Sequence, residues 1–256
     1  MSWEPGSDLY ACAQIVERGD PERFVAAMAA PVAARAVLFP LYAFNVEVAR
    51  APWVTQEPMI ARMRLQWWLD ALDEIAAGGF VRRHEVVTPL AQALTGVDVA
   101  RLRALVEARE RDLERAPFAD AAALLDYLER TSGGLALTAL AALGAPADRL
   151  ADAVPYARGA GLVRYLRAVP DLEARGKLPL PDGRAETLAA LARDQLRAMP
   201  GSLRRLRRSF GPAGAALREC AQARPLLQLV ARDPGSVSEG RLALSEFRRR
   251  WALLTA

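Results

Sequence analysis

Stretches rich in Ala and Leu follow one another along this chain, punctuated by Pro and Gly, while the runs of Val, Ile, Thr and aromatic residues that build strands are nearly absent. Ala and Leu lose little side-chain freedom in a helix, so the pattern predicts an all-α fold. With 52% of its 256 residues hydrophobic and 25% charged, the chain has the material for an ordinary buried core. No internal repeat, low-complexity tract or long linker breaks the succession, which makes one domain over residues 1–256 the economical organisation.

Local signals place the helices. Asp20 before Pro21 is an N-cap with proline at the first helical position, opening a helix through Phe24, Val25 and Met28. Pro31 restarts the chain into a helix from about Val32 to Arg50, which Pro40 is expected to kink and Pro52 to end. Thr55 is expected to cap a helix that runs to Ala77 and stops at Gly78-Gly79, with Ile60, Met63, Trp67 and Ala71 on its apolar stripe. Further helices are expected at Pro89 to Leu94, at Val99 to Arg115, over Asp120 to Leu143 with a break at Gly133-Gly134, and over Pro146 to Val169 with a disturbance at Pro155. Gly159 and Gly161 admit a close neighbour. The segment Gly176 to Gly183 reads as a loop, and helices resume from Glu186, Ala213 and Ser238.

Charge and cysteine usage narrow the partners. The net charge is +4, with basic residues concentrated in Arg204, Arg205, Arg207 and Arg208 and again in Arg248 to Arg250. Such runs suit solvated helix faces, or phosphates, acidic lipid or an acidic protein. No nucleic-acid partner is expected. Cys12 and Cys220 are far apart and form no Cys-x-x-Cys pair, which argues against disulfide frameworks and thiolate zinc sites and fits a reducing cytoplasm. No segment supplies about 18 uncharged apolar residues, Leu135 to Ala145 being the best candidate, so no transmembrane segment is expected. Met1 to Asp8 lacks the basic start and apolar region of a secretory signal. A cytoplasmic location is the expectation, with peripheral membrane contact left open.

Most familiar catalytic arrangements are missing. His84, the one histidine, sits among Arg82, Arg83 and Glu85 and reads as a surface residue, which leaves a Ser-His-Asp triad without its base. Glycine-rich nucleotide fingerprints and paired histidine ligands are absent. Asp70, Asp73 and Glu74 fall at i, i+3 and i+4 on one helical face, a geometry open both to a hard-cation site for Mg²⁺ and to a solvated face. Trp67 and Trp68 read as a core tryptophan beside a partly exposed one, or as the wall of an apolar ligand cavity.

An ordered set of short landmarks carries more. Asp20-Pro21-Glu22-Arg23-Phe24, Arg35 followed by Leu38-Phe39-Pro40-Leu41-Tyr42-Ala43-Phe44-Asn45, Arg64-Leu65-Gln66-Trp67-Trp68 with Leu72-Asp73-Glu74-Ile75, Tyr127 with Thr131-Ser132-Gly133-Gly134-Leu135, and Arg175-Gly176-Lys177-Leu178-Pro179-Leu180-Pro181 appear in sequence. Together they resemble the squalene/phytoene synthase family. The resemblance implies a helical bundle of the isoprenoid synthase type with a central cavity, in which active members join two prenyl diphosphates using Mg²⁺ held by two facing aspartate-rich helices. Divalent metals are needed because diphosphate departs as a highly charged anion while a carbocation forms.

The same resemblance implies that both aspartate motifs are degraded here. Carried over from the Tyr-Ala-Phe landmark, the first motif's aspartates fall on Ala49, Arg50 and Trp53, Val46 stands for its arginine, and Glu47 is its one carboxylate. Counting back from Arg175-Gly176-Lys177, the second falls on Arg164, Ala168 and Leu172, with Arg167 retained and Asp171 and Glu173 close by. The Tyr-Ala-Phe-Asn and Arg-Leu-Gln-Trp-Trp blocks look closer to the non-catalytic branch that includes the mitochondrial complex I assembly factor. A pseudoenzyme is therefore expected, with no catalytic residues, no cofactor, and a protein partner in a membrane complex or a prenyl or lipid ligand. Two alternatives remain open. One is a divergent prenyltransferase with Mg²⁺ on Asp70, Asp73 and Glu74; the other is a carrier gripping phosphate with Arg35, Arg164 and Arg167.

Overall fold

The computed structural model describes residues 4–55 and 57–256, and among them the regular structure is helical, with no strand. The expectation about a leader, which concerns residues 1–8, rests in part on residues 1–3, outside those described. Side-chain caps set several helix starts. Helix α1 (Asp8–Gly19) is capped by the Ser7 hydroxyl, which accepts from Tyr10 N, and α2 (Pro21–Met28) by the Asp20 carboxylate, which accepts from Arg23 N at 3.0 Å. Helix α3 (Val32–Arg50) follows Pro31 as expected and continues through Pro40 to a short 3₁₀ turn at Ala51–Trp53.

Helix α4 (Pro58–Ala77) starts two residues later than a cap at Thr55 implies. The Thr55 hydroxyl accepts from Glu57 N, and Pro58 takes the first helical position. Its end is the expected one, at left-handed Gly78 (φ 68°). The apolar stripe is shifted: Ala61, Leu65, Trp68 and Leu72 are buried with Ala71, whereas Ile60 and Met63 are exposed. This helix has more apolar positions than one face holds, so periodicity alone does not choose which are covered.

The remaining helices are α5 (Val87–Ala93), α6 (Ala100–Ala108), α7 (Ala121–Leu128), α8 (Gly134–Ala142), α9 (Val154–Ala174), α10 (Ala185–Ala198), α11 (Leu203–Ser209), α12 (Ala223–Arg232), α13 (Gly235–Ser238) and α14 (Glu246–Thr255). Three expected α-helical stretches are in part 3₁₀: Arg109–Leu113, Ala147–Ala153 and Gly211–Cys220. Pro155 opens α9 instead of disturbing it, because a missing N–H costs nothing in a first turn. Asp120 caps α7 through Ala123 N, and the break at Gly133 is a π-helical segment, Glu129–Gly133.

Helix α3 is the centre of the bundle, packed on α1, α2, α5 and α8, with Phe39, Leu41, Tyr42 and Phe44 fully buried in one continuous apolar core. The stretch Val32–Trp53 is long and apolar enough by length and composition to cross a membrane, a candidate missed from sequence because charged residues interrupt it. Most of it is buried inside the bundle, the environment of a core helix. Close approach at α9 is enforced by glycine: a Cβ at Gly161 would lie 2.7 Å from Ser132 Oγ, and one at Gly159 2.8 Å from Met199 Sδ.

Candidate functional site

A cavity of about 540 Å³ opens between the end of α3, the 3₁₀ segment after α6, the π-helical segment and α9. Widening of the helix at Glu129–Gly133 puts Thr131 and Ser132 on its wall. One side carries Ala49, Arg50 and Trp53, and α9 contributes Arg164, Ala168 and Leu172. The positions to which the resemblance assigns two metal-holding motifs thus line one space.

The charges of that space are predominantly positive. Arg23, Arg50, Arg109, Arg164 and Arg175 line it, against Asp112 and Asp171. Asp112 is already engaged: Tyr127 Oη donates to its Oδ1 at 2.8 Å and Arg109 Nη1 to its Oδ2 at 3.2 Å, while Arg109 Nη1 also donates to Tyr127 Oη at 2.7 Å. Burial holds the Tyr127 hydroxyl well above its ordinary pKa, so it remains a donor. Trp53 is a platform on which Arg175 and Lys177 rest, 5.1 and 4.5 Å from its ring centre.

Beneath the cavity lies a buried ion network. Glu219 accepts from Arg23 Nε and from Arg164 Nη2, its carbonyl also accepts from Arg164, and Arg23 Nη1 donates to Asp20 Oδ2 at 2.6 Å. The Arg23 and Glu219 side chains are 4% and 1% exposed. Burial opposes the Arg23 charge, but Glu219 and then Asp20 overcome it and hold the guanidinium above its usual range. Several buried atoms nonetheless lack a partner among the described residues: Arg109 Nε, Arg164 Nε and Nη1, and Glu219 Oε1. Unsatisfied N–H groups beside a cavity are vacant donors for an anion.

Asp20 gives this network an acid limb. Burial raises its pKa, but the Arg23 and Arg164 charges and the bonds from Arg23 more than offset it, so the folded-state value is depressed. A depressed carboxylate contributes its full stability above the unfolded value of about 3.9 and loses it as pH falls through the folded value. Asp20→Asn, which keeps a capping oxygen, is expected to flatten the fall in stability below about pH 4, whereas Asp20→Ala also removes the cap at about 1 kcal/mol. Chemical denaturation across an acid series reads both effects, and an unchanged acid limb in Asp20→Asn would refute the assignment.

The other residues singled out from sequence lie elsewhere. Val46 packs against Gly19, and Glu47 pairs with Arg50 at 3.3 Å on the wall of a separate pocket with Trp67, Trp68 and His84. Arg35 donates to the carbonyls of Ala30 and Met28, and Arg167 to Glu22 at 2.6 Å; neither lines the central cavity. Of the proposed phosphate grip, only Arg164 is there. Asp70 accepts from Gln66, Asp73 pairs with Arg103 and Glu74 with Arg82, again away from the cavity. Among the described residues, no three His, Cys, Asp or Glu side chains are clustered to hold a metal ion. Trp68 is buried and Trp67 partly exposed, as expected; His84 is only half-buried, its ring against both. Sequence reasoning missed Arg109, Asp112 and Glu219, whose partners are brought together only by the fold.

An all-helical bundle with an open central cavity is the architecture of the isoprenoid synthases, and two solved structures share it. The squalene synthase HpnC from Alicyclobacillus acidocaldarius superposes with a TM-score of 0.71 at 14% identity, covering 91% of this chain and 94% of that one. A dehydrosqualene synthase in complex with ligand gives 0.67 at 16%, covering 96% and 94%. The chain belongs to the squalene/phytoene synthase family, whose model matches residues 16–254. Among curated proteins it is similar to the NADH dehydrogenase (ubiquinone) complex I, assembly factor 6 homolog of Drosophila melanogaster, 34% identical over 66% of this chain and 52% of that protein. Complex I assembly factor 6 of Homo sapiens is 29% identical over 69% and 53% respectively. The chain therefore spans about half the length of the curated relatives it matches.

Proposed function

We propose that the chain is an assembly protein for a respiratory membrane complex and does not perform metal-dependent prenyl transfer. The observation that carries this reading is the charge of the central cavity, where five arginines surround two aspartates and Ala49, Arg50, Trp53, Arg164, Ala168 and Leu172 occupy the expected ligand positions. Hard divalent cations need several oxygen ligands, and a surrounding excess of guanidinium repels them. With Asp112 held by Arg109 and Tyr127, this donor set does not fit a magnesium cluster. Similarity to the fly and human assembly factors supports the partner class. The exposed apolar residues Met59, Ile60 and Met63, next to Val54, offer a surface for a protein.

Two measurements test it together. Purified chain incubated with farnesyl diphosphate and Mg²⁺ is expected to give no condensation product, and deletion of its gene in the native host to lower the amount of assembled NADH dehydrogenase, restored by the wild-type chain. Sustained product formation, abolished by Asp112→Asn or Asp171→Asn, would overturn the first half; an unchanged complex level after deletion would overturn the second.

A second reading is favoured by the vacant donors on Arg109 and Arg164: the cavity holds a phosphate-bearing prenyl or lipid molecule without metal. It is compatible with an assembly role.

A further inference from the structure

Outside the lining of the central cavity, α14 carries Phe247, Trp251 and Leu254 at i, i+4 and i+7, one helical face, and they are 75%, 58% and 79% exposed. The Phe247 and Trp251 rings stack on each other with centroids 6.2 Å apart. Large apolar side chains on one stripe of a surface helix are uncommon without a partner. The helix is not loose at its carbonyl end, where Arg207 donates to Ala256 O and Arg218 to Leu253 O, so the stripe is presented in a fixed direction.

Positive charge flanks this stripe. Arg248 and Arg249 on α14, with Arg204, Arg205 and Arg208 on the neighbouring α11, are exposed, and no carboxylate pairs with them among the described residues. Between α11, α12 and α14 runs an open groove of about 930 Å³ whose wall includes Arg204, Arg224, Arg232 and Arg248 and no acidic residue. Its apolar wall is Met199, Leu229, Leu244 and Trp251. An apolar trough edged by cations matches a molecule with an anionic head and a hydrocarbon body.

We infer that α14 and this groove dock on an anionic lipid bilayer, with Phe247, Trp251 and Leu254 entering the interface and the arginines contacting lipid phosphates. The charge pattern decides for a bilayer over an acidic protein. A basic amphipathic helix with an aromatic face lies in the plane of the membrane surface, tryptophan prefers the headgroup level, and each arginine near the surface adds attraction to acidic lipid. Arg250 is excluded from the count because Glu246 holds it at 2.5 Å.

Co-sedimentation of the full chain with vesicles tests this. Binding is expected to phosphatidylcholine vesicles containing phosphatidylglycerol, at least about tenfold weaker to phosphatidylcholine alone, and released by added salt. Phe247→Ser/Trp251→Ser and, separately, Arg248→Glu/Arg249→Glu are expected to lose it at an unchanged thermal unfolding midpoint. Binding that ignores lipid charge, or that survives in both variants, overturns the proposal. No binding to either vesicle also overturns it and assigns the face to an acidic protein. None of these outcomes depends on whether the central cavity binds or turns over a diphosphate.

Discussion

Glu219→Ala lowers the stability of this protein more than any surface change: about 3–5 kcal/mol is expected, because the substitution strands two guanidinium groups in a site the carboxylate had neutralised. Arg23 would keep Asp20 as its counter-ion and the face of the Tyr42 ring, and Arg164 the carbonyl of residue 219. In a chain of this size the thermal midpoint would fall by roughly 6–20 °C. The cost belongs to the broken pair, not to a net benefit of the pair itself, and a double-mutant cycle separates the two. Arg23→Leu/Glu219→Leu, which removes both charges, is expected to be less destabilised than Glu219→Ala. Equal or additive losses would show that packing around residue 219, and not its charge, is what matters.

The second large effect concerns the central cavity. Inorganic diphosphate is expected to bind without Mg²⁺, measurable by calorimetry, and Arg50→Ala/Arg175→Ala to weaken it by about ten- to a hundredfold, the worth of one or two charge-assisted hydrogen bonds. These two arginines are suitable because both line the cavity from exposed positions, whereas Arg23 and Arg164 also hold Glu219. Affinity that requires Mg²⁺ would remove the metal-free anion reading and leave the assembly reading standing on its own test, whereas metal-free affinity indifferent to the double substitution would assign the anion to Arg109 and Arg164 alone.

How much of this was legible in the sequence follows from how local each cause is. Asp20, Asp120 and Gly78 announce helix ends because a cap acts within one turn. The loop at Gly176 to Gly183 and the close approach at Gly159 and Gly161 were readable for the same reason. The buried face of α4 was not, since Ile60 and Met63 are as apolar as the residues covered in their place, and only neighbouring elements decide. Within the candidate site, family landmarks singled out Arg164, Ala168 and Trp53, all of which line the central cavity. They could not reveal that Arg35 and Arg167 are occupied elsewhere, nor that Glu219, a lone acid in the largely apolar run Ala213–Cys220, is the counter-ion of Arg23.

The link between Arg23 and Glu219 spans 196 positions, and that between the Tyr42 hydroxyl and the Ala216 carbonyl spans 174. At a synthesis rate of about 5–20 residues per second, roughly 10–40 s separate the emergence of Arg23 from that of its counter-ion. During that interval α3, the apolar centre of the bundle, has left the ribosome without part of its final cover. Closure of this long loop is entropically the late event of folding, so the nascent chain passes through a stage in which α3 has α1, α2, α5 and α8 against it but still lacks the cover of the 3₁₀ segment Gly211–Cys220.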